Sequence, residues 1–202
     1  AGAHERPLVF ADNDRPGILL AESARAYVNR YSVTPGHRVV IATCGDAAYT
    51  VARDLLAAGV AVAALVDTRP APQCPDAAPL RTLGIEVLTG HTITGTQGRE
   101  RVSGLRVASF ENGRVGVSRR IACDAVAMHG GWTPAVHLHS QARGRLRFDD
   151  ALDAFIPAGD APGLRSAGAA RGVYSLAECL TDGWCAGAAA AGWSETRRFA
   201  AS

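Results

Sequence analysis

The clearest candidate site is a tight turn between a short apolar run and a helix, Thr43-Cys-Gly-Asp-Ala-Ala48. A dinucleotide-binding turn carries glycines at its first, third and sixth positions, for the tight bend, for close approach of the pyrophosphate and for helix–strand packing. Here these positions hold Thr43, Gly45 and Ala48. Thr43 is β-branched where the backbone must bend, and Asp46 places negative charge where a phosphate would bind. Two interpretations stay open: a phosphate site, or a fold element that holds no nucleotide.

Asp67 is the second candidate, because it ends an apolar run about twenty residues after this turn. An acid there accepts hydrogen bonds from the adenosine ribose hydroxyls and disfavours a 2′-phosphate, so a ligand at this site would be NAD rather than NADP. The alternative is that Asp67 caps the loop before Arg69.

A third candidate is the small-residue stretch Ser166-Ala-Gly-Ala-Ala-Arg-Gly172, which leads into Val173-Tyr-Ser-Leu-Ala177. A glycine-rich turn that enters a helix can bind an anion through free backbone amides. Tight packing of the helix on a sheet would explain the same glycines and alanines. Both interpretations stay open.

No metal centre and no catalytic residue is expected. His137 and His139 have the spacing of a strand, which predicts that both point to one face, but no carboxylate or cysteine at matching spacing completes a metal site. Ser140 beside His139 does not make a convincing nucleophile–base pair. The arginines at 143, 145 and 147 are expected on a solvated face.

The composition indicates an ordinary globular protein, with 48% hydrophobic and 20% charged residues and a net charge of +2. Its arginines are scattered along the sequence, so a nucleic-acid partner is not expected. The five cysteines include no CxxC pair, which argues against a disulfide framework, a zinc ribbon and a redox pair. No signal segment or membrane-length apolar run is recognisable, and we expect a soluble, cytoplasmic protein.

Apolar periodicity predicts an alternation of strands and helices. Gly59 is expected to be a left-handed helix cap, and Asn112-Gly113 a hairpin turn. The predicted strands are 38–42, 60–66, 85–88 and 123–128, the predicted helices are 17–31, 46–58, 80–83 and 175–191, and a meander is predicted for 90–121. Residues 1–7 read as a loop that should follow a strand, which suggests that the chain is part of a longer one. From Ala135 onward the chain is expected to return to a different sheet.

Several runs resemble the alpha subunit of heterotetrameric sarcosine oxidase. They are the opening Gly-Ala-His-Glu-Arg-Pro, Phe10-Ala-Asp-Asn-Asp-Arg-Pro-Gly17, Gly130-Gly-Trp-Thr-Pro-Ala-Val-His-Leu138, and the segment from Ala167 to Leu180. The resemblance covers essentially the whole chain, in order. More distant resemblances are to opine oxidase, hydrogen cyanide synthase and dye-linked proline dehydrogenase subunits. All share the two-domain architecture of the pyridine nucleotide-disulfide reductases.

This resemblance implies an α/β fold in which a Rossmann-like NADH-type domain, a parallel sheet plus a β-meander, is inserted into a partial FAD/NAD-binding outer domain. Residues 36–122 would form the inserted domain, and 1–35 and 123–202 would belong to the outer one. The outer domain's own first β-α-β unit, with its glycine fingerprint, would lie upstream of Ala1.

The resemblance also implies a cofactor site. The alpha subunit of this family binds NAD mainly in the outer domain, and the positions that match its contacts are Ala169, Tyr174 and Leu176. Disulfide reductases have Gly-Asp in the return motif, and this sequence has Gly168-Ala169. A flavin in the usual pose would lose its carboxylate partner, which fits NAD in place of FAD.

The whole enzyme of this type oxidises N-methylglycine at a flavin in another subunit, passes electrons to a second flavin and then to oxygen, and releases hydrogen peroxide. FAD and FMN are thus expected in the complex rather than on this segment, which would be inactive alone and would need the other subunits of a hetero-oligomeric oxidase. Two alternatives remain: an NAD(P)H-flavin oxidoreductase of the disulfide reductase superfamily, or a scaffold domain with vacant nucleotide sites.

Overall fold

A computed structural model describes residues 2–72, 74–193 and 196–200. The chain forms two compact units, one made of Ala1–His4 and Trp132–Ser202 and the other of Glu5–Gly131. The second unit is continuous in sequence and separates the two sequence segments of the first.

The elements alternate between strand and helix over the first ninety residues and are mostly strands thereafter. The strands are β1 (Ala3–Glu5), β2 (Ile18–Leu20), β3 (Arg38–Thr43), β4 (Ala61–Asp67), β5 (Glu86–Thr89), β6 (His91–Gln97), β7 (Gly104–Glu111), β8 (Arg114–Val115), β9 (Arg119–Ile121), β10 (Ala125–His129), β11 (Trp132–Pro134), β12 (Leu146–Asp149) and β13 (Ala154–Pro157). The helices are α1 (Ala21–Tyr31), α2 (Ala47–Ala57), α3 (Ala77–Thr82), α4 (His137–Gln141) and α5 (Leu176–Ala190), with a 3₁₀ turn at Gly168–Arg171.

A five-stranded parallel sheet in the order β2-β10-β3-β4-β5 forms the centre of the second unit. Its central strand β3 is buried at five consecutive positions, the first four of them apolar, as expected of a strand covered on both faces. Alternate strand residues point to opposite faces, so Val39 and Ile41 pack with the helices, while Val40 and Ala42 pack with the meander of β6, β7 and β9. These three layers confirm the predicted α/β Rossmann-like fold with a parallel sheet and a meander.

Two turns have the left-handed backbone conformation that their residue types predict. Gly59 has φ +78°, the left-handed conformation predicted for the residue that ends α2. Asn112 (φ 50°) and Gly113 (φ 76°) form the tight connection between β7 and β8, as their Asn-Gly sequence predicts.

The first unit has two short two-stranded sheets, one of β1 and β11 and one of β12 and β13. The β12–β13 pair is antiparallel, and Phe148 and Phe155 face each other across it with ring centroids 5.3 Å apart. The long helix α5 begins at the N-cap Ser175, whose hydroxyl accepts a hydrogen bond from the backbone N–H of Glu178.

Four sequence expectations differ from the structure. Residues 18–20, predicted as the start of a helix, form β2, and residues 3–5, predicted as loop, form β1. Strands β2 and β10 were expected in the outer domain, but they belong to the second unit, where β10 pairs with β2 on one side and with β3 on the other. His137 and His139, expected on a strand, lie in the short helix α4. Runs of two or three residues do not define a period, and the choice of sheet for β2 and β10 depends on packing between distant segments.

Candidate functional site

In the turn that follows β3, a threonine side chain forms hydrogen bonds with the turn's own backbone. Thr43 is fully buried, and its hydroxyl accepts a hydrogen bond from the backbone N–H of Gly45 (2.9 Å) and donates one to the Gly45 carbonyl (2.7 Å). The amide that a pyrophosphate would use is therefore already bound. A Cβ at Gly45 would lie 3.1 Å from Nε2 of His129, so close packing against this imidazole favours a glycine whether or not a ligand binds.

Asp67, at the carboxyl end of β4, lies in a closed polar cluster and is fully buried. The Tyr49 hydroxyl donates to its Oδ2 at 2.8 Å. The Arg69 guanidinium donates to Oδ1 from Nε (3.1 Å) and to Oδ2 from Nη2 (2.8 Å), and the Arg69 backbone N–H donates to Oδ1 at 2.9 Å. The same Nη2 lies 2.7 Å from Oδ1 of Asp46. A ribose hydroxyl could reach the Asp67 carboxylate only by displacing these donors.

The charges of this cluster also disfavour a phosphate. Burial and the hydrogen bond to Asp67 raise the pKa of Tyr49, so the phenol stays protonated. Hydrogen bonds to Asp67 and Asp46 outweigh burial and raise the pKa of Arg69, so the guanidinium stays charged. One cation between two carboxylates leaves one net negative charge, which repels a pyrophosphate.

A buried acid–imidazole pair lies beside the same turn. Nδ1 of His129, at the end of β10, is 2.6 Å from Oε1 of Glu5, and both side chains are at most 5% exposed. Oε2 of Glu5 accepts a hydrogen bond from the backbone N–H of Glu22, in the first turn of α1. Sequence reasoning missed this pair because 124 residues separate its members. The pair connects Glu5, the first residue of the second unit, to β10, the last strand of that unit.

In the first unit, Gly168 and Ala169 open the 3₁₀ turn predicted to hold a ligand. Gly168 has φ +63°, a conformation that favours glycine. The turn is fixed by Asp182 of α5, whose Oδ2 accepts a hydrogen bond from the Gly168 backbone N–H (2.7 Å) and whose Oδ1 accepts one from Arg171 (2.5 Å). Ala169 is half-buried and carries no polar side-chain group.

Tyr174 and Leu176 follow this turn at the start of α5. Their exposed fractions are 37% and 69%, so both side chains are accessible to a ligand. The Tyr174 ring lies 6.5 Å from the ring of Trp132, between centroids. Gly168, Ala169, Tyr174 and Leu176 thus lie in one stretch of chain, from the 3₁₀ turn to the first residue of α5.

A cleft of about 620 Å³ borders the same loop and helix. Arg171, Gly172 and Val173 line it on the loop side, and Glu178 and Asp182 line it on the helix side. None of Gly168, Ala169, Tyr174 or Leu176 is among its lining residues, so the cleft adjoins the predicted ligand contacts without including them.

Within the described ranges 2–72, 74–193 and 196–200, no group of three or more His, Cys, Asp or Glu side chains is arranged to hold a metal ion. His139 is buried and its Nε2 is 3.1 Å from the carbonyl of Arg145, whereas the ring of His137 lies 5.8 Å from that of His4. The two imidazoles therefore do not share a face. All five cysteines are free thiols. None of the helices described is both long and apolar enough to span a bilayer.

No protein-family profile matches the chain. In sequence it is 41% identical to the alpha subunit of sarcosine oxidase from Corynebacterium sp. (strain P-1) over 94% of its length, which is 20% of that protein. It is also 41% identical to the corresponding alpha subunit from Rhizobium meliloti (strain 1021), over 90% of the chain and 17% of the relative. A more distant relative is the opine oxidase A subunit of Rhizobium meliloti, with 26% identity over 86% of the chain and 35% of that protein.

Solved structures with the same fold include several oxidoreductases. Thioredoxin reductase from Lactococcus lactis superposes with a TM-score of 0.70 at 16% identity, over 95% of this chain and 63% of that one. L-proline dehydrogenase from P. horikoshii superposes with a TM-score of 0.63 at 21% identity, over 98% and 34%. At these identities the likeness is one of fold. The sequence similarity is higher to the sarcosine oxidase alpha subunits, and the chain is similar to one segment that spans about a fifth of their length.

Proposed function

We propose that this chain is the nucleotide-binding region of the alpha subunit of a sarcosine oxidase-type flavoenzyme, and that it holds NAD in its first unit rather than its second. The contacts we assign to NAD are Gly168, Ala169, Tyr174 and Leu176. The 41% identity to the sarcosine oxidase alpha subunits supports the type of enzyme. The closed cluster around Asp67 supports the choice of unit, and it is the observation on which that choice depends.

Binding at the second unit would have to disrupt a completed network. The Asp67 carboxylate accepts four hydrogen bonds, all from Tyr49 and Arg69, and is inaccessible to solvent. Exposing it to a ribose would remove a charge-assisted pair from a buried anion, which is costly unless the ligand restores every bond. We therefore propose that Gly45 and Asp67 are parts of a retained fold rather than ligand contacts.

The turn of the first unit has a different charge balance. The Gly168 amide also donates to a carboxylate, that of Asp182, but Arg171 pairs with this carboxylate one to one and leaves no net charge. The methyl group of Ala169 brings no negative charge to the turn, whereas an acid at this position could accept hydrogen bonds from a flavin's ribityl chain. This difference supports NAD over FAD. Tyr174 adds an accessible aromatic ring and hydroxyl, and Leu176 an apolar side chain, for contact with a nucleoside.

For the whole protein, we propose oxidative demethylation of sarcosine with release of hydrogen peroxide, at flavins carried elsewhere in a cytoplasmic hetero-oligomer. Hydride chemistry would belong to those flavins, and this region would supply binding and architecture. A second candidate is a scaffold region without any nucleotide. The closure of the second unit around Asp67 is the specific observation that favours it.

Calorimetric titration of NAD into the full-length alpha subunit tests the proposal. Ala169→Trp should abolish the binding heat by filling the space beside the turn, while Asp67→Asn and the control Ala151→Trp, at an exposed turn of the same unit as Ala169, should leave the affinity unchanged. Loss of binding in Asp67→Asn alone would assign the site to the second unit. Absence of binding to the unmodified protein, freed of retained nucleotide by unfolding and refolding, would favour the scaffold.

A further inference from the structure

Two arginines lie directly opposite each other on the outward face of the meander. Arg106 of β7 pairs with Arg120 of β9 in the antiparallel ladder, and both residues are exposed. Leu105 and Val107, which flank Arg106, point into the core, so the alternation of the strand puts both arginines on the other face. Like charges directly opposite on neighbouring strands repel and weaken the pairing.

The repulsion is not relieved by a nearby carboxylate. In the ranges that the structure describes, neither guanidinium forms an ion pair. Glu86 pairs with Arg119 instead. The Asp124 carboxylate accepts hydrogen bonds from the backbone N–H groups of His37 (2.9 Å) and Arg38 (2.8 Å). These two carboxylates at the border of the meander are therefore engaged elsewhere.

Both side chains lie across glycines of neighbouring strand positions. Nη2 of Arg106 lies 3.2 Å from the position that a Cβ would take on Gly95, its neighbour on β6. Nε of Arg120 lies 3.2 Å from the corresponding position on Gly104. A side chain at either glycine would crowd the arginine that crosses it. The two glycines thus leave open the surface that the two guanidinium groups occupy.

Two more arginines contact the segment that follows β9. Arg38 donates to the carbonyl of Ala122 (2.9 Å) and Arg101 to the carbonyl of Asp124 (3.1 Å), so their charges are likewise not neutralised by acids. The fold therefore gathers arginines that are scattered in the sequence. All 21 basic residues of the chain are arginine, whose planar fork of N–H groups matches a carboxylate.

We propose that this arginine face, defined by Arg38, Arg101, Arg106 and Arg120, docks an acidic surface of a partner subunit, with a carboxylate bound between Arg106 and Arg120. This inference rests on the proposed function in that it takes the partner to be a subunit of the same oxidase. An exposed sheet face is better suited to binding another protein surface than to binding a small anion, because small ligands are bound in concave sites. A second copy presenting the same face would be repelled.

The test is association of the full-length alpha subunit with its separately purified partner subunits, measured by analytical ultracentrifugation from about 0.05 to about 0.5 M NaCl. Arg120→Glu should weaken association by at least about tenfold and flatten its salt dependence, because it removes an interfacial charge pair. The isolated Arg120→Glu variant should melt at the same temperature as the parent or higher, since the introduced carboxylate would face Arg106. Arg143→Glu, an exposed change in the other unit, is the matched control and should alter neither quantity.

Unchanged association of the Arg120→Glu variant would overturn the inference while leaving the proposed function intact. A lower melting temperature in the isolated variant would also overturn it, because the arginine would then have its counter-charge within its own chain. If millimolar sulfate stabilises the parent protein to the same extent as its partners do, the face would be assigned to small anions instead. If the parent protein itself does not associate with the partners, both this inference and the proposed function fail.

Discussion

Replacing Arg69 with methionine should lower the free energy of unfolding by about 2–3 kcal/mol. Breaking a fully buried ion pair by removing one partner costs about 3–5 kcal/mol, because the other charge stays buried without compensation. Asp67 is fully buried, but the Arg69 side chain is 32% exposed and the Tyr49 hydroxyl remains as a donor, so the lower part of the range, further reduced by screening, applies. At about 2–4 °C per kcal/mol for a chain of this size, the melting temperature should fall by roughly 4–12 °C.

Urea unfolding followed by circular dichroism measures this change, with Arg81→Met, an exposed arginine on α3, as the control. Adding Asp67→Asn to the Arg69→Met variant should recover part of the loss, because a neutral amide in the cluster no longer needs a cation. A loss no larger than that of the control, or no recovery in the double variant, would refute the description of the cluster as closed and mutually dependent.

Three further predictions concern the second unit. Burial and the adjacent Asp67 raise the pKa of Tyr49, so the folded state keeps the phenolic proton at a pH where the unfolded chain loses it. The free energy of unfolding should therefore fall as the pH rises above about 10. Tyr49→Phe should flatten this pH dependence in urea titrations across that range. Gly36→Ala should cost about 1–3 kcal/mol in the same assay, because its Cβ would lie 2.5 Å from Oδ1 of Asp124, and a neutral outcome would contradict this packing. Burial raises the pKa of Cys123 to about 11, so a thiol reagent near neutral pH should leave Cys123 unmodified in the native protein. Peptide mass spectrometry measures this labelling, and labelling of Cys123 as fast as that of the other four thiols would count against its burial.

The fold was predictable where periodicity and turn chemistry agree over a long stretch. The unit from β3 through α2 to β4 follows from a β-branched run, a helical apolar stripe and Gly59 with φ +78°. The strand β10 was recognisable as a strand, but nothing local indicates which sheet it joins. Its pairing with β3 is set by packing of whole layers, which no short window of sequence contains.

The candidate site was predictable in part for a similar reason. The positions of Gly168 and Asp67 follow from motif spacing, since the carboxyl ends of strands and the starts of helices are fixed by local signals. The hydrogen bond from Tyr49 to Asp67 was not predictable, because the local sequence around an aspartate at a strand end is the same whether the carboxylate faces a ligand or a phenol. The pairing of Glu5 with His129 depends on the crossing of distant segments.

Hydrogen–deuterium exchange of the full-length alpha subunit, with and without saturating NAD, tests the central claim most directly because it reports where the dinucleotide lies. We expect slower exchange in peptides that contain residues 166–178 and unchanged exchange in those that contain residues 43–49 and 66–69. Slower exchange around Gly45 and Asp67, with none around Gly168, would contradict the assignment of NAD to the first unit.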